Sequence, residues 1–230
     1  AVGEIYYLFA VIAFLHIFFG FGMEPAFLRF YAKDDITQSK KSFTQAFLTA
    51  ITIAVSISAV IFVSADSFAS YFPALDDPAY IIRLAVMVPM LDAFLIVPYA
   101  YLRMTRRSKR FAFTQFTFVI VGVGLNLFFI LLLGWGTKAV FWSNVIASLY
   151  AIIIVSDVIF KNLKFKFDLK LFKQMLRFGI PTIPASFVAV MLQLVDRPIL
   201  KALTDPETVA MYSINYKLGI PMMLVVSMFD

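Results

Sequence analysis

The chain has 230 residues, of which 62% are hydrophobic, 17% aromatic and only 15% charged. A soluble domain is about 45–50% apolar and about 25% charged, so a soluble globule of this length could not hide so much apolar surface. The net charge of +6 does not make a nucleic-acid face, because the basic residues fall between long apolar runs. Without cysteine, disulfides, thiolate metal sites and cysteine nucleophiles are excluded. The single histidine, His16, excludes a multi-histidine metal site. No cofactor is expected.

Seven apolar stretches follow in order, at about 5–22, 43–64, 80–102, 111–134, 139–160, 180–200 and 212–229. Each is near the roughly 20 residues that a helix needs to cross a bilayer. Barrel strands would show alternating segments of about ten residues, and these runs do not alternate. A helix also satisfies its own backbone in lipid. The expected fold is therefore all-α, a polytopic helical membrane protein with about seven transmembrane helices. The chain opens Ala-Val-Gly with no basic segment ahead of an apolar core, and it stops at Asp230 directly after an apolar run. It reads as an internal piece of a longer membrane protein.

The basic residues set an orientation. Connection 23–42 carries Arg29, Lys33, Lys40 and Lys41. Connection 103–110 carries Arg103, Arg106, Arg107, Lys109 and Arg110. Connection 161–179 carries Lys161, Lys164, Lys166, Lys170, Lys173 and Arg177. The alternate connections hold only Lys138 and Lys201, with Asp66, Asp76, Asp77, Asp205 and Glu207. Basic connections stay on the cytoplasmic side, which places Ala1 outside and Asp230 inside. In segment 161–179, lysines interleave with Phe165, Phe167, Leu169, Leu171 and Phe172. It reads as a basic amphipathic linker on the inner leaflet, with five spans before it and two after.

A charge within a span is costly and requires a partner or a cavity. Asp92 sits mid-span, and at 100° per residue Tyr99 and Arg103 fall on its side of the helix. Either a water-filled cavity or an interhelical hydrogen bond accounts for it. Gln115, Gly122 and Asn126 form one stripe, which suits close helix packing more than substrate contact. Ser186, Gln193 and Arg197 share a face with Lys201 a turn beyond. Arg197 either binds an anion or pairs with Asp196. Lys217 lies five or so residues into the last span, where it can snorkel outward. His16, Gly20 and Glu24 follow at steps of four. Arg83 reads as an interfacial anchor, and Asp157 as the partner of a loop lysine.

The stretch GMEPAFLRFYAK (22–33), after an aromatic span, resembles the second helix of bacterial Wzx-type polysaccharide flippases. LDAFLIVPYAYLRMTRRSKRFA (91–112) and GLNLFFILLLGWG (124–136) resemble their fourth and fifth helices, especially in Bacteroidetes-like versions. LKLFKQMLRFGIPTIPASFVAVMLQLVDRPILKAL (169–203) and TVAMYSINYKLG (208–219) resemble the start of their second half. The family lies in the multidrug/oligosaccharidyl-lipid/polysaccharide (MOP, MATE-like) exporter superfamily. That resemblance implies two six-helix bundles around a central cavity. Residues 1–160 would be helices two to six of the first bundle, 161–179 the linker, and 180–230 helices seven and eight. The first helix and those after the eighth would be missing.

The resemblance further implies a transporter, not an enzyme. It would flip undecaprenyl-pyrophosphate-linked oligosaccharide units across the bacterial inner membrane for polysaccharide or O-antigen synthesis. A coupling ion, membrane lipid and a polysaccharide polymerase are the implied partners. Related lipid flippases use cavity arginines on the pyrophosphate; Lys217 falls where one sits, and His16 lies near another. The expected substrate contacts are Arg29, Arg197, Lys217, Gln193 and His16. Asp92, Arg103, Glu24 and Asp196 are the expected gating or ion-linked groups. Two rivals stay open: a MATE-type drug antiporter, which needs an acidic cavity, and a membrane glycosyltransferase or polymerase, which needs paired catalytic carboxylates.

Overall fold

The structure is a computed structural model; it describes residues 2–73, 75–164 and 168–194, with the side chains of residues 2–7, 193 and 194 left aside. Eight α-helices and no strand are found among the described residues. They are α1 (Val2–Gly20), α2 (Met23–Phe30), α3 (Ile36–Ala69), α4 (Pro78–Met104), α5 (Ser108–Leu131), α6 (Thr137–Asn162), α7 (Leu169–Gly179) and α8 (Thr182–Leu194). The chain through Pro184 forms one unit, and a second begins at Ala185.

Six helical stretches among the described residues are long and apolar enough to cross a membrane: Leu8–Phe30, Ile36–Ala69, Pro78–Met104, Ser108–Leu131, Thr137–Asn162 and Leu169–Leu192. The chain is a polytopic helical membrane protein. The second to fifth overlap the stretches expected from hydropathy, while the first, expected at 5–22, runs on through α2 to Phe30, into the expected connection 23–42. The sixth was expected at 180–200 but begins about three turns earlier, at Leu169. The seventh, 212–229, lies outside the described residues. At about 1.5 Å per residue, the 34 residues of α3 reach about 50 Å. That exceeds the roughly 30 Å hydrocarbon core, so α3 tilts or projects from it.

Local chemistry explains the helix starts. Asp35 caps α3, accepting the backbone N–H of Thr37 at 2.8 Å and of Gln38 at 3.0 Å. At α4 the cap is Asp77, in the left-handed region at φ 59°, followed by Pro78 in the first turn. Pro is suited to that position because its missing N–H would have had no helical partner. Asp168 caps α7, accepting from Lys170 and Leu171 at 3.2 Å each. Those backbone donors, led by Leu171 and joined by Lys41 at 3.5 Å, hold the Asp168 carboxyl below the usual carboxylate range.

Helix α4 is central, packed against α1, α2, α3, α5 and α6. The largest core cluster joins Phe27 of α2, Phe43 of α3, Val97 and Leu102 of α4, Val155 of α6 and Met175 of α7. Ala46, Ala50, Ala100, Ala147 and Ala151 are fully buried. Such small side chains let helix backbones approach closely where lipid supplies no hydrophobic drive between helices. Helix α5 is the opposite case: Phe113, Phe116, Val123, Leu127 and Leu131 are all exposed, the composition of a lipid-facing surface.

The expected linker differs from a segment lying wholly on the leaflet. Its second half is α7, whose Leu171 and Met175 are buried in the bundle while Lys170, Lys173 and Arg177 point outward. Its first half is tied to α3. The backbone N–H of Lys164 donates to Thr44 Oγ1 at 2.8 Å, and Gln45 Nε2 donates to the Asp168 carbonyl at 2.8 Å. The physical reason is the spacing of its apolar residues. Leu171 and Met175, at i and i+4, make one stripe, and a bundle groove buries that stripe more completely than a headgroup layer does.

Candidate functional site: a polar cavity within the helical bundle

A cavity of about 320 Å³ opens beside α4, within the range of small-ligand sites. Its polar lining comes from four helices: His16 of α1, Glu24 of α2, Asp92, Tyr99 and Arg103 of α4, and Gln115 of α5. Leu95, Ile96, Phe111 and Phe118 supply apolar wall. Asp92, Tyr99 and Arg103 form one stripe because steps of seven and eleven residues nearly complete whole turns. The stripe runs about 16 Å, from mid-span to the end of α4. Gln115 shares its α5 face with Phe111 and Phe118, at i−4 and i+3.

Asp92 is both a cavity group and an interhelical bond, so the two readings of it coincide. Ser148 Oγ of α6 donates to Asp92 Oδ1 at 2.6 Å. His16 Nε2 stands 3.2 Å from Asp92 Oδ2. The Asp92 side chain is 19% exposed and that of His16 38%, so the carboxylate is seated in the bundle while the imidazole faces the opening. Nearby, the Tyr99 hydroxyl is buried with no partner, its ring edge-on to Phe111 at 5.4 Å. At the far end of the stripe Arg103 forms an ion pair with Glu24, and its guanidinium lies 5.7 Å from the Phe111 ring centre. Both partners are 40% exposed, so solvent screens the pair and it contributes little to stability.

The remaining expected site residues are not gathered here. Arg29 is exposed at the end of α2, its guanidinium 4.7 Å from the Phe178 ring centre, and it does not line the cavity. Gln193 is described in backbone only, and Asp196, Arg197 and Lys217 lie outside the described residues. Of the stripe Gln115, Gly122 and Asn126, the first lines the cavity. Gly122 serves packing: a Cβ there would sit 3.6 Å from that of Ala147. Asn126 Oδ1 is buried without a partner.

Several partners were hidden in the sequence. Ser148 carried no signal, being one serine in an apolar helix. Asp157, expected to meet a loop lysine, does stand 3.8 Å from Lys161, but its closer partner is Arg110, which donates to it through two nitrogens. Arg83 pairs with Asp66 at 2.7 Å, joining α3 to α4 at the end opposite Arg103. Among the described residues, no group of acidic or histidine side chains could hold a metal ion.

The cavity's polar groups are two carboxylates, one guanidinium, one imidazole, one phenol and one amide. No curated protein and no solved structure matches the chain. The family described as Polysaccharide biosynthesis protein matches residues 2–229, nearly the entire chain, and the protein belongs to that family of membrane proteins.

Proposed function

We propose that the protein takes part in polysaccharide biosynthesis as a flippase. It carries lipid-linked oligosaccharides with an anionic pyrophosphate head group across the bacterial inner membrane, and performs no covalent chemistry. The observation that carries this reading is a polar cavity inside an apolar bundle, in a chain of the polysaccharide biosynthesis family. Saccharide hydroxyls and a pyrophosphate need hydrogen-bond donors away from lipid, and Arg103, Gln115, Tyr99 and His16 supply them. Arg103 is the cavity's guanidinium, a group suited to phosphate oxygens. Its pairing with Glu24 makes it exchangeable: cargo and carboxylate compete for one cation. Arg197 and Lys217 remain proposed contacts in the second half of the chain, and alternation between two bundles remains the proposed transport cycle.

One observation favours the antiporter rival. Asp92 and Glu24 place two carboxylates in this cavity against one guanidinium. Complementation of a flippase-deficient strain by the full-length protein separates the two. Arg103→Ala, Arg197→Ala and Lys217→Ala should each cut surface polysaccharide about tenfold or more, with normal protein levels and unchanged drug resistance. Normal polysaccharide with lost drug efflux would establish the antiporter instead.

A further inference from the structure

Among the described residues, the charges that line the cavity do not balance unless a proton is counted. They are Asp92 and Glu24 as anions and Arg103 as a cation, with His16 the one group whose charge is open. With a neutral imidazole the lining carries one negative charge in excess, and with an imidazolium it carries none. Histidine is the side chain that changes charge between about pH 5 and 8. His16 sits where that change matters, 3.2 Å from Asp92 and 38% exposed. Ser148 fixes the other oxygen of the same carboxylate, so Asp92 stays aimed between α1 and α6.

We infer that the His16–Asp92 pair is a proton-binding site whose occupancy favours an anionic cargo, so that proton and cargo bind together rather than in exchange. The inference rests on the flippase reading for the sign of the cargo's charge. A bound proton removes one unit of negative charge from the lining, which favours an anion whatever cations the second half of the chain adds. By linkage, an anion that prefers the protonated site must in turn raise proton affinity there, by the same factor. The titratable and charged groups that line the cavity with His16 are Asp92, Tyr99 and Arg103 from α4 and Glu24 from α2. Helix α5 faces it with the uncharged Gln115, and α6 reaches Asp92 through Ser148. Helix α3, also packed on α1, contributes no group to the lining. The other basic group of the lining, Arg103, is held by Glu24.

The test uses the full-length protein in lipid nanodiscs and a short-chain prenyl-pyrophosphoryl sugar. As a pyrophosphate diester, this probe keeps its charge constant over the histidine range. Its affinity should tighten about fivefold or more from about pH 7.5 to about pH 5.5. His16→Gln, which keeps a hydrogen-bonding group beside Asp92, should still bind the probe but lose this pH dependence. Asp92→Asn should bind more tightly at the higher pH, since it removes the excess negative charge. Affinity that is flat with pH, or weaker at low pH, in the unsubstituted protein overturns joint binding. If the probe fails to bind at every pH, the flippase reading falls and this inference falls with it.

Discussion

Asp92 illustrates how a single carboxylate can be tolerated mid-span. Ser148 donates to one oxygen, His16 stands by the other, and the cavity admits water. Removing the donor leaves a partly buried carboxylate under-satisfied, at a cost of about 1–3 kcal/mol. Ser148→Ala should therefore lower the unfolding temperature of the purified protein. An unchanged melting curve would show that Asp92 is held by water and His16 alone. The stripe of Asp92, Tyr99 and Arg103 was legible from helical period, whereas the steps of four from His16 to Glu24 cross the break between α1 and α2. Their convergence on one cavity was not legible, because the period orders residues around one helix and says nothing of the rotation of its neighbour. Ser148 and Arg110 were missed for that reason: each meets its carboxylate across a helix interface.

The break between α1 and α2 packs on the break between α7 and α8. Gly22, in the left-handed region at φ 65°, is so close to the other turn that a Cβ would lie 2.1 Å from the Gly179 carbonyl oxygen. A Cβ on Gly179 would lie 2.8 Å from the Gly22 carbonyl oxygen. Only hydrogen fits at both positions, and an L-residue at Gly22 adds backbone strain. Gly22→Ala should destabilise the protein by about 2 kcal/mol or more, whereas Gly124→Ala, which faces open space, should leave stability within about 0.5 kcal/mol. Thermal unfolding of the two variants side by side checks this; equal losses would mean that the turn contact is dispensable. Hydropathy placed residues 23–42 in a connection and only the family resemblance gave a helix at 22–33; the contact with Gly179 was invisible to both. It joins two glycines more than 150 residues apart, and neither has a side chain to announce a partner.

Along the chain, connections rich in basic residues alternate with connections that carry Asp66, Asp76 and Asp77. Arg103, Arg110, Lys41 and Lys164 gather where α2, α4, α5 and α7 meet the connections rich in basic residues, and Arg83 with Asp66 marks the other end. The positive-inside rule then predicts which end faces the cytoplasm. Residues 1–230 hold no cysteine, so single cysteines placed here, in a protein free of cysteine elsewhere, report on each connection. Asp76→Cys should react with an impermeant maleimide in intact cells, and Arg107→Cys should react only after the membrane is opened. The reverse pattern would invert the proposed orientation.

Membrane embedding, helical class and the approximate bounds of the second to fifth spans were determined by the sequence alone. Bilayer thickness sets span length, and lipid forbids unsatisfied backbone, so both constraints act locally along the chain. Tertiary structure decided what no local constraint reaches: that the supposed surface linker inserts Leu171 and Met175 into the core, that Arg29 stands outside the cavity, and that His16 meets Asp92. Each depends on which faces of two distant helices are pressed together. That choice is made by the fit of small and large side chains across the bundle, not by hydropathy within either helix.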